Sequence, residues 1–167
     1  DTSTLYGTDD STDRLITINT TTGAGTGVGA GLGFASVRGL AFDPDTNTLY
    51  GENSLSAQLI TIDTGTGAGT AVGSTGIGLL GLAFDENTST LLGVKGFSSL
   101  GSQLFQVDTA TADSTCVGAL GFDDVQGLAF DSATGTMYGV DVSSPGVLIT
   151  IDTTTHEGTA VGNAMAT

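Results

Sequence analysis

The sequence predicts an all-β protein with the architecture of a β-propeller of four blades, each of about 42–46 residues. The first observation is an internal repeat: copies of the segment L-Y-G begin 44, 42 and 46 residues apart, at Leu5, Leu49, Leu91 and Met137. The second is composition, because 13% of the residues are charged while 27 are glycine, which favours short strands and tight turns. A period of about 40–45 residues with several short strands per unit is typical of propeller blades.

Each repeat contains up to four predicted strands in a fixed order, namely G-L-A-F-D, L-Y-G, L-I-T-I-D and T-x-V-G. The first strand begins at Gly39, Gly81 and Gly127. The third begins at Leu15, Leu59, Leu104 and Leu148. The fourth begins at Thr26, Thr70, Thr115 and Thr159. Third strands are largely apolar on both faces, as expected when a sheet is packed between two neighbouring sheets.

Segments of the form GLAFDPxTxTLYG, followed by LITIDTxTGxGTAVG, resemble the blades of secreted bacterial and archaeal β-propellers, including the YVTN-type surface-layer propellers. The likeness extends over essentially the whole chain, whereas the WD and GH dipeptides of WD-repeat propellers are missing and the chain has no Trp. The resemblance implies that G-L-A-F-D is the innermost strand of a blade and T-x-V-G the outermost. It also implies an extracellular or cell-surface protein, secreted with a leader that this sequence lacks.

We expect a single domain over residues 1–167, made of four sequence repeats at about 1–44, 45–86, 87–132 and 133–167. Only three copies of the innermost strand are present, so one blade lacks its innermost strand and 15 strands stand where four complete blades need 16. The missing strand could come from a neighbouring chain, from Asn163 to Thr167, or from sequence lost by truncation. As an alternative, the chain is half of an eight-bladed homodimeric ring.

The charge balance excludes two classes of partner. Three basic residues stand against 18 acidic residues, and the net charge of −15 repels both nucleic-acid backbones and anionic lipid. No apolar run approaches the roughly 18 residues of a membrane span, so membrane insertion is not expected. The single Cys116 lies in the apolar run T-C-V-G, where the sibling repeats carry Ala71 and Ala160, and we expect it to be a small core residue.

Short polar residues recur where turns are predicted. The third and fourth strands are joined by turns that begin at Asn19, Asp63, Asp108 and Asp152. Because Asn replaces Asp in one copy, the conserved chemistry is an acceptor for turn amides and not a metal ligand. Asp43-Pro-Asp45-Thr-Asn47 imitates a calcium loop, but the required Gly and Glu are replaced by Thr48 and Ser54. Two glycosylation sequons begin at Asn19 and Asn87.

Connections of variable length gather on one rim of the predicted propeller, and such loops usually carry function. The candidates there for ligand binding are Glu52, Lys95, Phe97 and Asp141. Calcium is the one cofactor left open, with candidate oxygen ligands at Asp9, Asp10, Asp13, Asp123 and Asp124. The simpler interpretation is that these acids are solvated loop residues and that Phe34 and Phe122 plug the core.

The sequence does not predict an enzyme. The single histidine, His156, lies in a tight turn without a histidine partner, and the glycine-rich stretch from Gly23 to Gly31 lies between strands with no helix after it. We therefore expect a non-catalytic extracellular structural module that associates with itself, as a homo-oligomer or as filaments formed by strand completion of the open blade. The alternative is a lectin-like or calcium-assisted propeller that binds a ligand such as a glycan through the variable rim.

Overall fold

The computed structural model describes residues 4–96, 100–143 and 145–162. These residues form 15 strands in four antiparallel sheets, arranged as a four-bladed β-propeller, which confirms the predicted fold class. The described parts of the chain contain no helix, and so none that is long and apolar enough to cross a membrane. One sheet has three strands and the other three have four each, as the count of repeated segments predicted.

We number the sheets as blades in chain order. Blade 1 contains β1 (Leu5–Asp9), β2 (Arg14–Ile18) and β3 (Gly25–Gly27). Blade 2 contains β4 (Val37–Asp43), β5 (Thr48–Asn53), β6 (Gln58–Ile62) and β7 (Gly69–Ser74). Blade 3 contains β8 (Gly81–Asp85), β9 (Thr90–Lys95), β10 (Gln103–Val107) and β11 (Ser114–Ala119). Blade 4 contains β12 (Val125–Asp131), β13 (Thr136–Asp141), β14 (Val147–Ile151) and β15 (Gly158–Ala160).

Within each blade the strands pair in sequence order, and the last strand of one blade leads to the first strand of the next. The sheets are therefore shifted by one strand relative to the sequence repeats, because G-L-A-F-D closes a repeat in sequence but opens a blade in space. In blade 2, β4 pairs with β5 so that Phe42 lies opposite Leu49, and β5 pairs with β6 so that Leu49 lies opposite Ile62.

Three hydrophobic clusters hold the blades together. One joins blades 1 and 2 around Leu15 and Ile60, the second joins blades 2 and 3 around Leu59 and Leu82, and the third joins blades 3 and 4 around Leu104. Each cluster takes side chains from the two facing sheets, as expected for strands that are apolar on both faces. Within the described residues, no core cluster and no hydrogen bond joins blade 4 to blade 1.

The inner strands approach each other through glycine. A Cβ atom placed on Gly39 would lie 2.8 Å from the backbone nitrogen of Leu82, and one placed on Gly81 would lie 2.8 Å from the carbonyl oxygen of Gln126. A Cβ atom on Gly127, the same position in blade 4, would meet none of the described residues within 4 Å. The absence of a side chain thus permits close contact at two blade interfaces, and the third glycine faces open space.

The turns between third and fourth strands are closed by the predicted polar acceptors. The side-chain oxygen of Asn19 accepts hydrogen bonds from the amides of Thr21 and Thr22, each at 2.9 Å. Asp63 accepts in the same way from Gly65 at 3.0 Å and Thr66 at 2.7 Å. The turns at Asp108 and Asp152 repeat this arrangement. The prediction of turn building, with Asn and Asp interchangeable, is confirmed.

The prediction for Cys116 is wrong, because this side chain is exposed on the outermost strand β11. Its sulfur accepts a hydrogen bond from Gln103 Nε2 at 3.6 Å. The matching Ala71 and Ala160 are exposed as well. Blades fan out from a common axis, so the outermost strands lie farthest from their neighbours and retain solvent on the face that is covered nearer the axis.

We expect Gly81→Ala to lower the free energy of unfolding by about 1–3 kcal/mol, because the methyl group must displace the backbone of β12. Gly127→Ala is the matched control, since it makes the same change in the same G-L-A-F-D context without a clash. Urea denaturation followed by circular dichroism measures the free energy of unfolding of both variants, at protein concentrations low enough to prevent association. Equal destabilisation by the two substitutions would contradict the close packing of inner strands.

We expect Asp63→Ala to lower the melting temperature by about 2–4 °C and Asp63→Asn to leave it nearly unchanged, since Asn19 performs the same role in blade 1. Hydrogen bonds from the Thr66 amide, the Thr66 hydroxyl and the Gly65 amide lower the pKa of Asp63 below its usual 3.8. A lowered folded-state pKa means that this stabilisation is present above the unfolded pKa and is lost as pH falls through the folded pKa. Thermal melts of the three proteins at pH 3 and pH 7 test this, with Asp63→Asn showing the smaller acid effect.

Candidate functional site

The antiparallel strand order places two kinds of connection on opposite rims. The uniform turns β4–β5 and β6–β7, with their equivalents, lie on one rim. The β1–β2, β5–β6, β9–β10 and β13–β14 connections lie on the other rim, together with the connections from blade to blade. We call the second the variable rim. It carries those ligand-binding and calcium-binding candidates of the sequence that lie among the described residues.

The acidic residues of blade 1 are used by their own turn. The Asp9 carboxylate accepts hydrogen bonds from the Ser11 hydroxyl at 2.6 Å, the Ser11 amide at 2.9 Å and the Thr12 hydroxyl at 2.7 Å. These bonds, the Ser11 hydroxyl first, lower the pKa of Asp9. Asp10 is exposed. Asp13 has a φ of 50°, and its carbonyl accepts a hydrogen bond from the Leu32 amide at 2.8 Å.

The second set of predicted calcium ligands lies between blades 3 and 4. Asp123 is exposed, and Asp124 is buried with its carboxylate oxygens 3.3 and 3.1 Å from Gln126 Nε2. The two sets thus belong to different blades. Across residues 4–96, 100–143 and 145–162, no three or more His, Cys, Asp or Glu side chains form a group that could hold a metal ion. The calcium site stays a prediction, and these residues do not supply a ready ligand set.

The predicted binding residues do not converge on one place. Lys95 is half-buried at the end of β9, opposite Gln103. Asp141 is buried at the end of β13 and accepts hydrogen bonds from the amide and the hydroxyl of Ser143 at 2.9 and 2.7 Å. Phe97 lies outside the described residues. Asn19 and Asn87, the predicted glycosylation positions, are both exposed, and their modification remains a prediction.

The aromatic residues of the blade-to-blade connections act as plugs. The ring of Phe34 packs against Gly69, so closely that a Cβ atom added to this glycine would lie 2.8 Å from the ring. Phe122 packs in the same way over Gly158. Both rings are partly buried against the core clusters. The interpretation of these residues as core plugs is therefore the one that fits their contacts.

Glu52 is buried, whereas the sequence placed it among the candidates for ligand binding on the variable rim. This expectation of an exposed binding residue is corrected here. Its side chain is 0% exposed. Oε1 accepts hydrogen bonds from the Thr75 hydroxyl at 3.0 Å and the Leu79 amide at 3.5 Å, while Oε2 has no hydrogen-bond partner. Burial raises the pKa of Glu52 to about 7. The signal was available in the sequence, since the matching residues of blades 3 and 4 are the apolar Val94 and Val140.

His156 has a structural position. Its φ of 63° matches the positive φ of Gly23, Gly67 and Ala112 at the same place in the other turns. Its amide donates to the carbonyl of Asp152 at 2.8 Å, and its side chain packs against Gly118 of the preceding blade. Two shallow grooves, of about 410 and 370 Å³, lie near these turns in blades 1 and 4, and both are lined mainly by threonine. These contacts give the imidazole a packing role.

No described residue fills the inner position of blade 1, and Asn163 to Thr167, one predicted source of the missing strand, lie outside the described residues. Its first strand, β1, lies at the edge of the sheet, whereas each of the other three sheets has a G-L-A-F-D strand inside the equivalent of β1. Phe42 on β4 is 42% exposed, although the matching Phe84 on β8 is 6% exposed. The difference arises because β8 is covered by the inner strand of the preceding blade and β4 is not. Thr8 still bridges the blades, donating to the carbonyl of Val37 at 2.8 Å.

Two apolar end faces were not foreseen from the sequence. The face of blade 1 turned away from blade 2 carries Leu5, Ile16 and Ile18, and we call it the blade 1 end face. The face of blade 4 turned away from blade 3 carries Ala129, Tyr138, Leu148 and Val161, and we call it the blade 4 end face. The signal was the apolar character of both faces of every blade, which leaves one face bare at each end of an unclosed stack.

Comparison with known proteins identifies the fold and no family. Neither protein-family profiles nor curated sequences give a match. Among solved structures, the chain is similar to hydrazine synthase of Kuenenia stuttgartiensis, with 15% identity and a TM-score of 0.64 over 95% of this chain and 46% of that chain. It is also similar to a chain of the nidogen/laminin complex, with 14% identity and a TM-score of 0.69 over 94% and 60%.

A third similar structure is an auxiliary nutrient binding protein from Bacteroides thetaiotaomicron, with 15% identity and a TM-score of 0.67 over 98% of this chain and 40% of that chain. This chain thus spans about half the length of the structures it matches. The similar structures include both an enzyme and a binding protein by name. At these identities the likeness shows the propeller fold alone, because propellers host many unrelated activities.

We expect Glu52→Gln to raise the free energy of unfolding at pH 8 by on the order of 2 kcal/mol and to have little effect at pH 4. Because the folded-state pKa, about 7, lies above the usual 4.5, the folded protein binds this proton more tightly than the unfolded chain. The contribution of Glu52 therefore becomes less favourable as pH rises from about 4.5 to 7. Urea titrations across pH 4–8 measure the difference, with the exposed Glu86→Gln as control. A Glu52→Gln effect that does not change with pH would contradict burial of this carboxyl.

Proposed function

We propose that this protein is a non-catalytic structural module that associates with further copies of itself outside the cell or on its surface. The observation that carries the proposal is the inner position of blade 1, which none of the described residues fills, so that β1 lies at the edge of its sheet and Phe42 is 42% exposed. A bare strand edge next to an exposed aromatic side chain can accept an extended segment through main-chain hydrogen bonds and side-chain burial.

The proposed segment has a defined chemistry. In blades 2 to 4 the inner position is filled by Gly-Leu-Ala-Phe-Asp, and the glycine lets this strand approach its neighbour. The three G-L-A-F-D strands are already paired in their own sheets, so another extended apolar segment of a second copy would pair with β1 and cover Leu40 and Phe42 of β4. Filling the position removes apolar surface from water and pairs the edge of β1, and both effects favour association.

The proposed location, outside the cell or on its surface, rests on the resemblance to surface-layer propellers and on the amino-acid composition. Three basic residues against 18 acidic ones leave a protein with few sites for trypsin-like proteases and with no attraction to nucleic acid. The single cysteine means that an oxidising environment does not threaten the fold with wrong disulfides within one chain. These features suit an exposed structural material.

The way in which the described polar side chains are used supports a non-catalytic role. In the described residues the carboxylates of Asp9, Asp63 and Asp108 are engaged by their own turns, and His156 is used to close a turn. The alternative of a glycan-binding or calcium-assisted propeller would use the variable rim, where the described acidic side chains are separated or buried. Structural association is therefore the function that these contacts favour.

We expect light scattering after size exclusion to give a mass above the 16.5 kDa of one chain, rising with concentration. A synthetic peptide with the sequence of residues 80–86 should compete for the vacant position and lower the mass, whereas the same peptide with proline at Ala83 should not, since proline lacks the amide proton. A mass of 16.5 kDa up to millimolar concentration would overturn the proposal.

Negative-stain electron microscopy of the same material separates the two candidate functions. Filaments or closed oligomers that disappear with the competing peptide agree with strand completion. Dispersed single propellers that bind a glycan array, or that gain stability with Ca²⁺, would favour the ligand-binding alternative instead.

A further inference from the structure

Neighbouring blades contact each other in the same way at all three interfaces. One side of this contact is therefore left without its counterpart at each end of the stack of described blades. The glycine of T-x-V-G in one blade approaches the turn between third and fourth strands of the next blade. Gly29 meets Thr66, Gly73 meets Thr111, and Gly118 meets His156. Gly162, at the same place in blade 4, meets no described residue within 4 Å. Gly23, in the matching turn of blade 1, also meets none of the described residues within 4 Å.

A hydrogen bond from blade to blade repeats in the same way. The carbonyl of Leu32 accepts from the Gly69 amide of blade 2 at 2.9 Å, and the carbonyl of Leu120 accepts from the Gly158 amide of blade 4 at 3.1 Å. Between blades 2 and 3 the carbonyl of Thr75 accepts from the Ser114 hydroxyl at 2.6 Å. Gly25 is the matching residue of blade 1, and within 4 Å a Cβ atom placed there would meet only Ile16 of its own blade.

The apolar side chains show the same pattern. Leu5 on the blade 1 end face is 49% exposed, whereas its equivalents Leu49, Leu91 and Met137 are buried. Leu148 on the blade 4 end face is 37% exposed, whereas its equivalents Leu15, Leu59 and Leu104 are fully buried. Inside the stack, side chains of these two kinds lie across an interface from each other in the core clusters. Each end face thus displays one half of a contact that the protein makes three times internally.

We propose that the blade 4 end face of one copy packs on the blade 1 end face of a second copy, and that two such contacts close a ring of eight blades. The partner is a second copy because the missing half of each interface is the one found at the opposite end of the same chain. This inference rests on the proposed self-association and names the surfaces that carry it. The contact continues the established blade-to-blade interface, with Gly127 and Gly162 facing the blade that follows.

The arrangement is heterologous at each contact and closed overall. Blade 4 and blade 1 share no core cluster or hydrogen bond among the described residues of one chain, and these residues therefore leave the ring open. In a ring of two copies each chain offers one end face of each kind, and both contacts are identical by two-fold symmetry. The inner position of blade 1 then lies beside β12 of the second copy, so a segment that fills this position would lie at the same junction as the end-face contact.

The test uses the full chain and three leucine variants. Leu5→Asp places a carboxylate on the blade 1 end face, and Leu148→Asp places one on the blade 4 end face. Leu55→Asp is the matched control, because Leu55 is 78% exposed in the β5–β6 connection and belongs to neither end face. Circular dichroism confirms that each variant is folded, and light scattering gives its mass.

We expect the unaltered protein and Leu55→Asp to have twice the 16.5 kDa mass of one chain. Leu5→Asp and Leu148→Asp should each dissociate roughly 100-fold more readily, because an unpaired carboxylate would be buried at both junctions of the ring. An equimolar mixture of these two variants should regain the dimer, since one of its two junctions then has no substitution.

The other outcomes show which part of the proposal is wrong. If Leu5→Asp dissociates the dimer while Leu148→Asp does not, or the reverse, then like faces pair with like and the proposal is overturned. A series of ever larger species would overturn ring closure. Association that survives both substitutions would overturn the end-face contact and leave strand completion standing, while an unaltered protein that stays at 16.5 kDa overturns both.

Discussion

The structure depends on one constraint, which is that every blade is apolar on both faces and must be covered on both sides. In β6, the buried Leu59 and Ile60 point to opposite faces of the same sheet. No such sheet can exclude water by itself, so stability comes from the contacts between blades. The three core clusters satisfy this requirement for the two middle blades and for one face of each end blade.

The glycines show how closely neighbouring blades approach each other. Inner strands converge near a common axis, where a side chain on Gly39 or Gly81 would collide with the backbone of the next blade. Outer strands diverge, and Cys116 accordingly faces solvent. Phe42 is exposed while Phe84, at the same radial position, is buried, because only Phe42 lacks an inner strand in front of it. The exposure of Phe42 is thus a local consequence of the missing inner strand of blade 1.

The polar residues divide into those that build turns and one that does not. Asx turns at Asn19, Asp63, Asp108 and Asp152 use side-chain oxygens that would otherwise suggest a metal site. Glu52 differs, because one carboxylate oxygen is buried without a partner and desolvation raises its pKa. A buried acid at a position occupied by valine in two sibling blades places a cost on the interface between blades 2 and 3 at neutral pH.

The sequence by itself determined the number of blades, the order and type of the strands, the 15-strand count and the turns, because each depends on local spacing that repeats along the chain. It also indicated which rim holds the variable loops. Only the tertiary structure decided that Glu52 and Asp141 are buried, that the candidate calcium ligands lie on separate blades, and that blade 4 has no core contact with blade 1 in the described residues. These properties depend on how one sheet lies against the next, and a repeat that is the same in every blade carries no information about where the stack of blades ends.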